Sequence, residues 1–256
     1  SVAQIDGDYV IMAGSYDDNM YAVSSSGNSL FQIKTTDHVN SSASFIDIEG
    51  DTYAFFGSDD GFIYAVDMNG NALAGWPQEI GEDIDTSVSF ADLDGDSEPE
   101  AIIGVSSQLY AYHMDGSQYD RFPISYEFSF TSAPLIADLD NDNDLEIVLG
   151  SSGSLVSIDI MENGSLSEFG VPYWSQDRGN ALKTGYYEKE DLECLIPVEG
   201  DLNCDSFVDI LDILLLVQTV ISAHDISNYE MWVSDMNQDG IIDVLDVIII
   251  VNLIIN

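Results

Sequence analysis

The sequence predicts a mainly β region of about four propeller blades, a partial propeller, followed by a small all-α module of two loop–helix repeats. Two repeats predict this division. A unit of roughly 45 residues recurs four times before residue 187, and a twelve-residue acidic loop leading into an apolar helix occurs twice after residue 200. Short strands separated by turns and repeated at that period are the pattern of blades, each of which needs neighbours to bury its faces. Composition sets a third bound, because 5 Lys and Arg face 47 Asp and Glu, for a formal charge of −42. Such a chain lacks the basic footprint that counterion release requires, which excludes nucleic acid and anionic membranes as partners. Its 45% hydrophobic and 11% aromatic content argues for packed cores rather than the disorder that high charge usually signals. The acidity fits a saline or extracellular setting.

The four units open with S-V-A-Q-I-D-G-D at Ser1, S-F-I-D-I-E-G-D at Ser44, S-F-A-D-L-D-G-D at Ser89 and L-I-A-D-L-D-N-D at Leu135. Each runs into a short apolar strand ending at Gly14, Gly57, Gly104 or Gly150. A third strand follows, marked by Tyr21, Tyr64, Tyr110 and Val156. The second and third units add W-P at Trp76 and F-P at Phe122. The aromatic residues at repeat spacing, Tyr64 and Tyr110 among them, read as core or inter-blade packing.

Units three and four carry an acidic loop between their first and second strands. Asp92, Asp94, Asp96 and Glu100 fall at positions 1, 3, 5 and 9 of one, and Asp138, Asp140, Asp142 and Glu146 at the same positions of the other. Hard oxygens at that spacing suit Ca²⁺, with Glu98 and Asp144 placed to add a backbone carbonyl at position 7. Units one and two are shorter here, lack an acid at position 9, and in unit one Gln4 replaces the first Asp. They are assigned no metal, and Asp6 is expected to be indifferent to the ion.

These units resemble the FG-GAP repeat, also called VCBS, known from integrin-like propellers. The following segment, W-S-Q-D-R-G-N-A-L-K-T-G-Y-Y from Trp174, is similar to the terminal stretch found after such repeats in secreted bacterial proteins. The resemblance implies the last blades of a longer propeller, with a complete four-bladed ring as the alternative. Segments such as G-S-D-D-G-F-I-Y-A-V-D from Gly57 are also similar to the quinone-cofactor propeller repeat. The sequence has no vicinal cysteines or basic cluster to hold that anionic cofactor, which a chain of this charge would repel.

After an acidic linker at 188–199, D-L-N-C-D-S-F-V-D-I-L-D supplies oxygen-bearing side chains at loop positions 1, 3, 5, 9 and 12. They are Asp201, Asn203, Asp205, Asp209 and Asp212, with the Phe207 carbonyl at position 7. The second copy, at an offset of 34, supplies Asp235, Asn237, Asp239, Asp243 and Asp246, with the Ile241 carbonyl. Carboxylates crowded in this way repel one another without a cation, so two further Ca²⁺ ions are expected as part of the fold. Ser206 stands where Gly240 makes the sharp turn of the second loop, which predicts weaker binding in the first. The apolar spacing after each loop predicts a helix with Ile210, Ile213, Leu214, Val217 and Ile221 on one stripe, repeated by Val244, Val247, Ile248, Val251 and Ile255.

This duplicated loop and helix, over residues 200–256, resembles the dockerin type I module. The resemblance implies a cohesin-type partner and a bacterial protein that is secreted or held at the cell surface. It also implies recognition by loop positions 10 and 11, here Ile210, Leu211, Val244 and Leu245. The stripe places Ile210 and Val244 inside and leaves Leu211 and Leu245 as exposed anchors.

Cys194 and Cys204 can close a disulfide between linker and loop or stand as two thiols. No leader is visible before Ser1, so the chain reads as a fragment or a mature piece, and no apolar run is long enough to span a bilayer. His38, His113 and His224 have no nucleophile or metal motif beside them. The paired carboxylates fall in the acidic loops. The expectation is a noncatalytic protein; the alternative is the accessory C-terminal region of a secreted hydrolase, a glycosidase or peptidase, whose catalytic domain lies upstream of Ser1.

Overall fold

The computed structural model describes residues 1–5, 8–48, 51–96, 98–140, 142, 144–168, 171–179, 183–188, 200, 202, 208, 210–221, 233–237 and 239–255. The chain divides into two compact units, residues 1–168 with 172–189, and residues 190–256 with 169–171.

Four antiparallel sheets make up the first unit, one for each sequence repeat. The first holds β1 (Val2–Ile5), β2 (Asp8–Ser15), β3 (Asn19–Ser24) and β4 (Ser29–Lys34) in chain order. In the second, β5 (Ser44–Ile48), β6 (Asp51–Gly57), β7 (Phe62–Asp67) and β8 (Gln78–Glu79) repeat that order. The third holds β9 (Ser89–Ala91), β10 (Glu100–Val105), β11 (Gln108–Tyr112) and β12 (Ile124–Ser125), and the fourth β13 (Leu135–Ala137), β14 (Asp144–Gly150) and β15 (Leu155–Asn163). A small pair, β16 (Ser167–Glu168) and β17 (Val171–Pro172), follows. The last strand, β18 (Tyr186–Glu188), returns to β1 and pairs with it in parallel, Val2 opposite Tyr186.

Strand alternation sends successive side chains to opposite faces of each sheet, and burial follows the repeat. Thr52, Ala54 and Phe56 of β6 lie on one face, as do Ala101 and Ile103 of β10 and Leu145, Ile147 and Leu149 of β14, and all are buried. These are the faces turned toward the preceding sheet. One core cluster joins the first three sheets and includes Ala101 and Ile103. The opposite side chain, Ile102, belongs to a second cluster with Ile147 and Leu149 of the fourth sheet. Phe55 of the second sheet meets Phe90 of the third edge-on, with ring centres 5.0 Å apart. Gly104 lets Leu149 approach so closely that a Cβ there would meet it at 2.8 Å. Buried hydroxyls tie consecutive sheets at the repeat's first position. The Ser44 hydroxyl donates to the Val88 carbonyl at 2.6 Å and the Ser89 hydroxyl to the Pro134 carbonyl at 2.7 Å.

Residues 174–175 and 185–187 together touch the first strand of all four sheets. The amides of Phe90 and Ile136 donate to the carbonyls of Trp174 and Ser175, each at 2.9 Å. Trp174 packs edge-on against Phe45 at 5.7 Å, Tyr187 stacks on Phe45 at 5.8 Å, and the Val2 amide donates to Gly185 at 2.7 Å. The edge amides of β9 and β13, which would otherwise lack partners, are satisfied by this segment. Tyr64 stacks on Phe56 at 5.1 Å and Tyr110 on Tyr112 at 6.3 Å, in keeping with packing roles.

In the second unit, α1 (Ile210–Ile221) and α2 (Val244–Ile255) pack on each other around Leu216 and Ile250, two fully buried residues 34 apart in sequence. Ile210 and Val244 do not lie inside as the helical spacing predicts; they are 63% and 60% exposed, and Ile248 is also exposed. The reason is compositional. The α2 sequence V-L-D-V-I-I-I-V-N-L-I-I is apolar on nearly every side, so periodicity does not define which stripe meets the partner helix. Among the described residues no helix is long and apolar enough to cross a membrane.

Candidate metal centres

Two acidic loops of the first unit converge as the sequence spacing suggests, though not with identical membership. Carboxylate oxygens of Asp92, Asp94 and Asp96 lie within 4.8 Å of one another, and so do those of Asp138, Asp140 and Glu146. In the fourth sheet the position-9 residue Glu146 joins the group. In the third, Glu100 instead accepts from the Leu93 amide at 2.8 Å and shares a hydrogen bond, across the strand pair, with the His113 imidazole, whose Nδ1 lies 3.0 Å away. Glu146 accepts the matching amide, that of Leu139, at 2.6 Å.

These loops are shaped by their own carboxylates. The amides of Gly95 and Glu98 donate to Asp92 and Asp96 at 2.7 and 2.8 Å, and the Asp144 amide donates to Asp142 at 3.0 Å. Short acidic side chains that bind amides two or three residues on hold a tight turn. The electrostatics favour a cation. Burial, first, pushes the Glu100 carboxyl up to about 8; the Leu93 amide pulls the other way, and the charges of Asp94, Asp92 and Asp96 add to the rise. Asp94 is raised by burial and then by Asp96. Asp140 is raised chiefly by the charge of Asp142, and Asp144 by burial and then by Asp142 and Asp159. All-oxygen donor sets under this mutual repulsion suit a hard divalent ion such as Ca²⁺. The carbonyls of Glu98 and Asp144 remain the expected position-7 donors.

In the second unit, the last acid of each loop is fully buried in the first turn of its helix, Asp212 in α1 and Asp246 in α2. Asp212 accepts from the Leu202 amide at 2.8 Å, and Asp246 from the amides of Asn237 and Asp243 at 3.2 and 2.9 Å. Asp235 accepts from Asp239 and Gly240 at 3.1 and 2.8 Å, Asp239 from Ile241 at 2.9 Å, and Asp243 from Leu245 at 2.7 Å. A buried carboxylate at a helix start gains from the helix dipole, and in the second loop Asp246 is buried while Asp235 and Asp243 are half-buried and Asp239 is exposed; these four do not form a group as close as those of the first unit. The all-oxygen donor set fits Ca²⁺. Gly240 takes φ +81°, the turn for which glycine is suited. Asp201, Asn203, Asp205, Phe207 and Asp209 of the first loop, the expected anchor Leu211 as to its side chain, Asp6, Cys194, Cys204 and linker residues 189–199 lie outside the described residues.

A third cluster, Asp18, Asp37 and His38, was not legible in the sequence. Its members come from a β2–β3 turn and the loop after β4, and Lys34 already binds Asp18 at 3.0 Å.

No curated protein matches the sequence. Among solved structures, the chain is similar to the computationally designed Ika4 protein, with 13% identity and a TM-score of 0.42, over 62% of this chain and 88% of that one. It is similar to BamB from Moraxella catarrhalis, with 16% identity and a TM-score of 0.44, over 65% and 51%. It is also similar to the Pan2 WD40 domain of Neurospora crassa, with 10% identity and a TM-score of 0.42, over 68% and 48%. The chain thus spans about half the length of the BamB and Pan2 chains. The duplicated loop and helix with its buried acids has a family match of its own: residues 199–255 are a dockerin type I domain.

Proposed function

We propose that this is a noncatalytic, calcium-stabilised extracellular protein in which a partial propeller of FG-GAP-like repeats is attached, through the dockerin, to a cohesin-type partner. A dockerin implies attachment to a cohesin in a cellulosome-like complex, and that domain carries the reading. Two Ca²⁺ in its loops hold the helix pair, and one each in the loops of Asp92 and Asp138 holds the third and fourth sheets. The recognition surface is the exposed start of the two helices. Ile210, Val244 and Leu245 are all more than half exposed there, an apolar array that suits an apolar cohesin face.

The noncatalytic reading is supported by where the carboxylates lie. Apart from the Asp18 cluster, the convergent acids among the described residues belong to loops whose turns they build. Calorimetry of the chain against a panel of cohesin modules, with calcium and then with chelator, tests the reading. Calcium-dependent binding of at least one cohesin is expected. Binding that survives chelation, or turnover of a polysaccharide or peptide by this chain, would overturn it.

A further inference from the structure

The acidic loops of the third and fourth sheets are matched acid for acid. Asp92, Asp94, Asp96, Glu98 and Glu100 stand at positions 1, 3, 5, 7 and 9 of one, and Asp138, Asp140, Asp142, Asp144 and Glu146 at the same positions of the other. The difference lies across the hairpin from position 9. The β10–β11 register, which sets Ala101 opposite Tyr112, brings His113 to Glu100, whereas the β14–β15 register sets Asp159 opposite Glu146. His113 and Asp159 are 46 residues apart, as are Glu100 and Glu146, so one repeat position carries two different side chains.

That exchange tracks the way each glutamate is held. Glu100 has one carboxylate oxygen on the Leu93 amide at 2.8 Å and the other 3.0 Å from His113 Nδ1, and it does not join the group of Asp92, Asp94 and Asp96. Glu146 has the equivalent amide bond, from Leu139 at 2.6 Å, and one of its carboxylate oxygens lies within 4.8 Å of those of Asp138 and Asp140. An ionised Asp159 has no hydrogen to offer Glu146. A bulge follows Asp159, where Met161 takes φ +55° and donates its amide to Asp159 at 3.0 Å. The Asp159 charge stays beside the loop and adds, after burial and Asp142, to the rise of the Asp144 carboxyl.

We infer that the two sites are graded: the fourth loop binds calcium tightly, and the third binds it weakly because His113 holds Glu100 back from the ion. This rests on the calcium reading proposed above. His113 is a positioning residue, since it acts on the ion only through Glu100. Calcium affinity follows the number and charge of the oxygens that reach the ion, and exchanging a group hydrogen-bonded to a ligand typically changes it by about 10–100-fold. The third loop therefore fills and empties over a calcium range in which the fourth stays loaded.

Calcium titration of the full chain against a chromophoric chelator, at a single pH, tests this. Asp140→Ala keeps the third loop, Asp94→Ala keeps the fourth, and the double variant supplies the dockerin background to be subtracted. The site kept in Asp94→Ala is expected to bind about tenfold more tightly than the one kept in Asp140→Ala. Within Asp140→Ala, His113→Phe keeps a ring against Tyr119, whose centre is 5.3 Å from that of His113, and removes the hydrogen bond. It should tighten the third site about tenfold, a gain that mere loosening of the fold does not produce. His113→Asn can place an amide nitrogen near the position of Nδ1 and should return the weak site. Equal affinities in the two backgrounds, or a His113→Phe chain that binds no more tightly, would overturn the inference and leave the calcium reading standing. If neither Asp94→Ala nor Asp140→Ala removes an ion, the calcium reading itself falls and takes this inference with it.

Discussion

At the scale of single residues, the decisive group is Glu100, a fully buried carboxyl held by the Leu93 amide and His113 and pushed up to about 8. A folded-state value above the ordinary carboxyl value of 4.5 means the fold takes up a proton that the unfolded chain has lost. Without calcium, stability from this group is therefore present below about pH 4.5 and is lost as pH rises through about 8. Glu100→Gln keeps the acceptor for Leu93 and removes the charge. In chelator at neutral pH it should raise the melting temperature by roughly 2–4 °C, and in calcium it should lower it, which scanning calorimetry can resolve. Equal shifts under both conditions would count against a cation at this loop. Asp94→Ala and Asp140→Ala should lower the melting temperature in calcium and leave it nearly unchanged in chelator, because a ligand of the native state stabilises by mass action. The loop acids were legible because ligand spacing is local. The Glu100–His113 contact was not, since it depends on which residues a hairpin register sets opposite one another.

Among the elements, the helix pair and the inter-sheet ties make separate predictions. The helices α1 and α2 begin on buried Asp212 and Asp246, so stripping calcium should unfold them. Circular dichroism of the chain in chelator should lose its helical signal while the β signal persists; a helical signal retained in chelator would refute the coupling. Ser44→Ala and Ser89→Ala remove buried hydroxyls that bind the neighbouring sheet's carbonyl, and each should cost about 1–2 kcal/mol by urea denaturation. The first strands, the glycine-ended strands and the two helices were all readable from alternation and repeat spacing. The packed side of the helices was not. Where almost every residue is apolar, the stripe is chosen by the partner helix, and Ile210 and Val244 came out exposed.

Across the first unit as a whole, residues 174–175 and 185–187 join what the repeats leave separate. Trp174 is buried against Phe45 while its carbonyl holds the third sheet, so Trp174→Ala should cost about 3–5 kcal/mol and shift the whole transition of the sheets in one step. A loss below about 1 kcal/mol in urea denaturation would show that the segment merely lies alongside. No local pattern announces this role, because the pairings of Trp174 with Phe90, Ser175 with Ile136 and Tyr186 with Val2 span long stretches of sequence. The parallel pairing of β18 with β1 has a mechanical meaning. The dockerin residues 199–255 follow β18 in the chain, so under the attachment proposed above any tension on them enters the first unit through that strand. A strand drawn lengthwise past a parallel neighbour loads its evenly spaced hydrogen bonds together, in shear, whereas peeling would break them one at a time. Under a load along its own axis, the strand that joins the last residues of the first unit to its first sheet is held by all of its bonds at once.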